Sequence, residues 1–331
     1  MSDPLKLFDI AKSQNRPLYA AAPMVRYSKL AFRKTVAEYG VDLTWTPMIL
    51  AKEFNRSEHA RNSDFTTCAN APPTIVQFGA NSPFEISRAT TLLAPHINGV
   101  DINCGCPQSW ACAETLGAAL MHKPELVASM ITSAKESFKA EGFEAKKTVS
   151  VKIRIHKDLR QTVDFVKTME SVGVDFITIH GRLKSTPSSL PVNIDAIKLI
   201  TEHTTVPTLS NGDVYSVEDA ELHRKKLGVD GVMSARGLLE NPAMFKGHSR
   251  CPWEAVEVFM LNVVKAPLPF KLVVHHLSEM VGTDHLGGTT AGGLGKLCGQ
   301  EDRTALMECK DMLDILDWYE RVKEVMQQSL S

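Results

Sequence analysis

Residues 148–182 read TVSVKIRIHKDLRQTVDFVKTMESVGVDFITIHGR, and this stretch decides the fold. Its ends, TVSVKIRI (148–155) and FITIHGR (176–182), are short runs dominated by Val, Ile and Thr, the composition of buried strands. Between them, residues 162–172 place apolar side chains at helical spacing. A strand, a helix and a second strand joined this closely form a βαβ unit, which makes the two strands parallel.

The unit repeats outward in both directions. Upstream lie LYAAAPM (18–24), LTWTPM (43–48), PTIVQFGA (73–80) and GVDINCG (99–105); downstream lie PTLSNGD (207–213) and DGVMSARG (230–237). Helical spacing returns between most of them, at 28–39, 83–93, 124–140 and 217–227. Eight strands within about 240 residues match a (β/α)8 TIM barrel of the α/β class. An open, doubly wound sheet is the structural alternative, but its G-x-G-x-x-G turn is missing: the first strand runs into AAPMVRYS. After GHSRCPW (247–253) the strand-like runs stop, which divides the chain into a barrel over 1–247 and a small all-helical domain over 248–331. In that tail, 306–328 reads as one amphipathic helix, with Leu306, Cys309, Leu313, Leu316, Val322 and Met326 on its apolar face.

Composition narrows the function. The chain has 331 residues, is 44% hydrophobic and carries a formal net charge of −1. No apolar run is long enough to span a membrane, and MSDPLKLFDIAKS lacks the core of a secretory signal. Seven irregularly spaced cysteines then point to reduced thiols in an intracellular protein, in the cytoplasm or nucleus. A near-zero net charge exerts no general pull on nucleic acid, so any RNA-binding charge must be local.

In a barrel of this kind the strand ends carry function. Here they supply Met24, Gln77, Asn103, Lys152, Arg154, His180, Arg182, Asn211, Asp213 and Arg236. Alternation along VKIRI puts Lys152 and Arg154 on one side and Val151, Ile153 and Ile155 on the other. A lysine in a barrel strand needs an anionic or electron-rich partner, unless it reaches water at the strand end. The last two loops, SNGDVYS and SARGLLENPAMF, bring Asn211, Gly212, Ala235, Arg236 and Gly237 to the usual place for a phosphate. Two ordinary βα turns would use the same residues. A ring system with a phosphate tail that also uses Gln77 and Lys152 fits flavin mononucleotide, FMN.

APMVRYSKLAFR, VQFGAN, DINCGCP with LGAALM, VKIRIH, IHGR, SNGD and ARGLLENPAMF occur in this order from about Leu18 to Phe245. Together they resemble the tRNA-dihydrouridine synthases. TWTPMILAKEF and DINCGCPQSWA are most similar to the eukaryotic branch acting on D-loop uridines 20a and 20b. The resemblance implies FMN in the barrel mouth. Pro23, Met24 and Val25 would lie along its ring, with Gln77 and Lys152 at the polar edge and Asn103 nearby. His180, Asn211, Gly212, Asp213, Ala235 and Arg236 would serve its ribityl chain and phosphate. It also implies NADPH, or NADH, as reductant and hydride delivery from the flavin to C6 of a uracil. Cys106, in the GCP motif, would be the proton donor to C5, and an ordinary thiol of pKa about 8.5 is suited to that task at neutral pH.

The partner so implied is tRNA, through its D-loop, with no membrane and no obligate protein partner. RNA contacts are expected from Lys52, Arg56 and Arg61, and from Arg154 and Arg182. A local face around Lys271, His275, His276 and Arg303 is a further candidate, because residues 247–331 as a whole are acidic, with 8 Lys+Arg against 12 Asp+Glu. The chain departs from the family pattern in two places: AETLGAALM keeps Gly117 alone where two glycines are usual, and LKSTPSSLPVN after HGR lacks the expected threonine and acidic and basic residues.

Two motifs fail the function their pattern suggests. GGTTAGGLGK (287–296) fails as a phosphate loop, since Thr290 stands where glycine is required and Leu follows Lys296. Cys104, Cys106 and Cys112 lack the spacing and fourth ligand of a metal site, so no metal is expected. The alternatives to a synthase are an FMN barrel acting on a free pyrimidine, a Schiff-base aldolase using Lys152, and a non-catalytic RNA-binding barrel.

Overall fold

The computed structural model describes residues 3–282 and 297–330, the last five by backbone alone. Nine strands form one sheet: β1 Leu18–Ala21, β2 Leu43–Trp45, β3 Ile49–Leu50, β4 Thr74–Gly79, β5 Gly99–Cys104, β6 Thr148–Arg154, β7 Phe176–His180, β8 Thr208–Asn211 and β9 Gly231–Ser234. All pairings are parallel. β2 pairs with both β1 and β4, and β9 pairs with β1, so eight of the strands close into a barrel. The two-residue β3 adds to β4 at its carboxyl end and was not foreseen.

Each strand alternates between two cores. Along β1, Leu18 and Ala20 face the barrel interior with Leu43, Trp45, Ile75, Phe176, Leu209 and Met233. Tyr19 and Ala21 face the helical shell instead. The helix Pro4–Ser13, capped by Asp3 and led by a proline, closes the amino end of the barrel. Its Phe8 sits 5.5 Å from Phe176, whose other neighbour Trp45 is 6.1 Å away. With that end filled by side chains, the open mouth is at the carboxyl ends of the strands.

The helix expected at 162–172 runs over Leu159–Ser171, because the Asp158 carboxylate caps the N–H of Arg160 and starts it three residues earlier. The chain after Gly247 is helical among the described residues: Trp253–Lys265, Phe270–Gly282, Gln300–Glu308 and Met312–Leu330. These helices share a hydrophobic cluster with the barrel shell, and Asn262 donates to Thr35 at 3.2 Å and to Glu38 at 3.3 Å.

The single helix expected over 306–328 is broken. Gln300–Glu308 ends at Cys309, and Met312 opens a second helix behind an Asp311 carboxylate that accepts from Leu313 and Asp314. The break resets the helical phase. Ile315, Trp318 and Val322 are buried, while Leu313 is 70% and Leu316 43% exposed. The side chain of Met326 and the glycine-rich segment 287–296 lie outside the described residues.

Candidate active site

Strand register sets the site. Asn103 lies beside Lys152, Arg154 beside His180, and His180 beside Asn211. The polar residues expected at separate strand ends therefore form a continuous band around the mouth. Lys152 and Arg154 are half-buried between the buried Val151, Ile153 and Ile155, the alternation expected from the sequence.

One part of the band is a buried line of hydrogen bonds. Gln77 Nε2 donates to Asp101 Oδ2 at 2.7 Å, Ser150 Oγ donates to Asp101 Oδ1 at 2.7 Å, and Asn103 Nδ2 donates to Gln77 Oε1 at 2.7 Å. The carboxylate only accepts, so it fixes which end of the Gln77 amide faces it. Burial pushes the Asp101 carboxyl up to about 6, against the opposing pull of the two donors and Lys152. In the sequence Asp101 is only one residue of the run GVDINCG, and nothing in its spacing marks it as the anchor of Gln77.

The same asparagine shapes the loop beyond β5. Asn103 Oδ1 accepts the N–H of Gly105 at 3.0 Å and that of Cys106 at 2.8 Å, a side-chain turn that ends the strand. Arg154 adds a clamp, donating from Nε to Gly105 O at 2.9 Å and from Nη1 to Leu183 O at 2.7 Å. Cys106 is half-buried at the mouth, whereas Cys104 is fully buried and burial raises its thiol pKa. Gly117 lies against Cys106 with φ +60°, and a Cβ there would come within 2.5 Å of Cys106 O. The one glycine retained in AETLGAALM is thus the one that this contact requires.

Opposite lies a recess of about 90 Å3 under the loops after β7, β8 and β9. Gly212, with φ +116°, and Gly237 line it where a side chain does not fit, for a Cβ at either would meet a neighbour within 3.0 Å. Arg182 is 3% exposed and fully engaged: its Nη2 meets both Asp213 oxygens at 2.6 Å, its Nε donates to Leu190 O at 2.8 Å, and its Nη1 lies 3.1 Å from His180 Nε2. Arg236 reaches the same Asp213 carboxylate at 3.0 Å. Asp213 therefore positions two guanidinium groups. Burial first, and then the charges of Lys152, Arg154, Arg182 and Arg236, push His180 down to about 2, which keeps its imidazole neutral.

FMN fits this arrangement. Arg182 and Arg236 line the recess against one carboxylate, Asp213, and Lys152 and Arg154 add their charge at His180, an excess that a phosphate would offset. Burial and the charge of Arg154 lower Lys152 to about 8, so it would gain from an electron-rich ring edge. Half-buried Pro23 and Met24 and exposed Val25 flank the mouth after β1, where Ser28 Oγ ties Ala22 O to the Met24 N–H. Gln77, Asn103, Asn211 and Ala235 complete the band.

The residues expected to meet RNA separate. Lys52 and Arg56 are exposed on the helix Ala51–Arg56, although Arg56 contacts Glu53 at 3.3 Å. Arg61 turns inward to Phe54 O at 3.0 Å, and Arg154 and Arg182 are held as described. His276, expected on a surface face, is instead buried among Tyr27, Phe32 and Phe259, all within 5.1 Å between ring centroids. Burial pushes it down to about 3, and a neutral imidazole packs there as an aromatic ring. Arg303 packs against Gly282. Lys271 and His275 do line a recess, of about 680 Å3, together with Arg26, Lys29 and Lys265, which the sequence reading missed; none of its lining residues is a carboxylate. Among the described residues no group of three or more His, Cys, Asp or Glu could hold a metal, and no helix is long and apolar enough to cross a membrane.

The family described as "Dihydrouridine synthase (Dus)" matches residues 20–289. A Schizosaccharomyces pombe protein named tRNA-dihydrouridine(20a/20b) synthase [NAD(P)+] is 44% identical over 282 residues, covering 85% of this chain and 84% of its own. A Homo sapiens protein named tRNA-dihydrouridine(20a/20b) synthase [NAD(P)+]-like is also 44% identical, covering 84% and 85% respectively. Among solved structures, an amine oxidase for 6-hydroxypseudooxynicotine from Pseudomonas geniculata superposes with TM-score 0.52 at 12% identity, over 73% of this chain and 49% of its own, a likeness of fold alone.

Proposed function

The chain belongs to the dihydrouridine synthase family, and on that premise we propose that it reduces the C5=C6 bond of uridines 20a and 20b in the D-loop of tRNA, using NADPH. FMN, when bound, supplies the hydride for C6. Arg236, Gly212 and Ala235 would hold its phosphate end, with His180 neutral among the cations. Gln77 and Lys152 would serve the polar edge of its ring, with Met24 beside it. Cys106 carries the proton for C5, and Asn103 and Arg154 hold its loop toward the mouth. A D-loop uridine is unpaired, so extruding its base costs little. Lys52, Arg56 and the recess lined by Arg26, Lys29, Lys265 and Lys271 are the surfaces for the tRNA backbone.

The reading rests on one hydrogen-bonded line, Asp101–Gln77–Asn103–Cys106, which ties the amide expected at the ring edge to the backbone N–H of the thiol-bearing residue. The test is to incubate the purified protein with NADPH and unmodified tRNA and to map dihydrouridine. Flavin absorbance together with tRNA-dependent NADPH oxidation and new dihydrouridine at 20a and 20b is the expected result. Flavin bleaching without any dihydrouridine would move the activity to a small-molecule substrate. A flavin-free protein trapped by borohydride on a carbonyl substrate would make it a Lys152 aldolase.

A further inference from the structure

A third recess opens beside Pro107, next in sequence to Cys106, with a volume of about 1010 Å3. It shares no lining residue with the small recess beneath Arg236. Its floor is apolar: Pro107, Ala118, Met121, Ile155 and Leu183. Its rim is basic, with Lys157, Arg160, Lys184 and His122. The only carboxylate among its lining residues, Asp158, is taken by Arg160 at 3.2 Å and by the helix it caps. Lys157 and Lys184 make no hydrogen bond or ion pair with any described residue, so their charge is free for a ligand. One wall is fixed by hydrogen bonds: the His156 ring is held between Thr162 Oγ1 and Met121 O, both at 3.0 Å, with the His122 ring 5.2 Å away between centroids in an edge-on arrangement.

An apolar floor with a free basic rim suits a planar base carrying phosphates. The recess is large for a single nucleotide, since ligand pockets usually measure about 300–1,000 Å3. Its position limits the candidates further. Pro107 follows the reactive thiol directly, and Arg154, which lines the recess, clamps Gly105. A molecule seated here extends one end over the mouth while keeping clear of the flavin phosphate. RNA backbone would meet the rim lysines without needing the floor.

We propose that this recess binds the adenosine–phosphate half of the nicotinamide dinucleotide that reduces the flavin, with Lys157 and Lys184 on its phosphates and the base on the floor beside His122. The proposal rests on the flavin-dependent function given above.

The test uses the full chain with its flavin and the paired variant Lys157→Ala with Lys184→Ala. Flavin reduction by NADPH is followed without tRNA, tRNA affinity is measured separately, and adenosine 2′,5′-bisphosphate serves as a probe by calorimetry. The expected result is a KM for NADPH raised about tenfold, equal to about 1.4 kcal/mol, with the limiting reduction rate and tRNA affinity within twofold of wild type. Bisphosphate binding should weaken in parallel. An unchanged KM for NADPH overturns the proposal, whether tRNA affinity falls, which gives the recess to RNA, or holds, which leaves it inert. The bisphosphate arm reads the recess even in a protein that holds no flavin or makes no dihydrouridine: binding that the variant loses supports the site, and absence of binding removes it. Failure of the broader function is read separately, in wild-type flavin content and dihydrouridine mapping.

Discussion

The side-chain oxygen of Asn103 holds the backbone N–H of Cys106 at 2.8 Å. The same side chain donates to Gln77 at 2.7 Å, so one residue sets both the end of β5 and the orientation of the amide expected at the flavin edge. Asn103→Ala should release the Cys106 loop. A displacement near 1 Å costs roughly 100-fold in rate, so dihydrouridine formation should fall by about that factor while NADPH still reduces the flavin. Asn103→Asp keeps the accepting oxygen and should recover part of the loss. Equal activity of the two variants would show that the turn is not what positions the thiol.

Cys106 and Cys104 differ in surroundings and should differ in consequence. Cys106→Ala removes the proton donor and should slow dihydrouridine formation by about 10²–10⁴-fold with flavin content unchanged. Cys104 is fully buried; Cys104→Ala should keep activity and cost about 1 kcal/mol of stability, read from the denaturant midpoint. Equal loss of activity in both variants overturns the division of roles.

Gly117 and Gly142 separate backbone strain from contact. Both have positive φ, +60° and +75°, but only at Gly117 would a Cβ meet Cys106; at Gly142 nothing lies within 4 Å. Gly142→Ala should therefore cost only the left-handed penalty, about 1 kcal/mol. Gly117→Ala should cost more and should also slow dihydrouridine formation, because Cys106 must shift. Indistinguishable stability and activity in the two variants would mean that the Cys106 loop adjusts freely.

The barrel was legible because its signals are local. Each βαβ unit announces itself within some thirty residues, and the GCP, IHGR, SNGD and ARGLLENPAMF segments each fall on a strand end. The misses involve distant neighbours. Nothing near Asp101 in sequence says that it anchors Gln77, and nothing near Asp213 says that its carboxylate gathers Arg182 and Arg236. His276 looks like a surface residue of an amphipathic helix until Tyr27 and Phe32 of the barrel close over it. The break at Cys309–Asp311 was hidden because Leu306, Cys309, Leu313 and Leu316 continue one helical spacing along the sequence, and only tertiary burial distinguishes Ile315 from Leu316.

Lys152 gives the site a pH dependence whose sign is fixed. Its pKa is lowered from 10.5 to about 8, first by burial and then by the charge of Arg154. Between those values the unfolded chain binds the proton and the folded chain does not, so this group's contribution to stability grows as pH rises through the window and is lost as pH falls to about 8. An electron-rich ring edge against the ammonium offsets that cost and favours the charged form, so flavin binding draws the Lys152 pKa back up. Flavin affinity should then weaken as pH rises above about 8. Lys152→Met should bind flavin more weakly at neutral pH and lose this slope. Flavin dissociation constants measured for both proteins across the window, by quenching of flavin fluorescence, decide the matter. A slope that survives in Lys152→Met would assign the proton to another group and remove Lys152 from the ring edge.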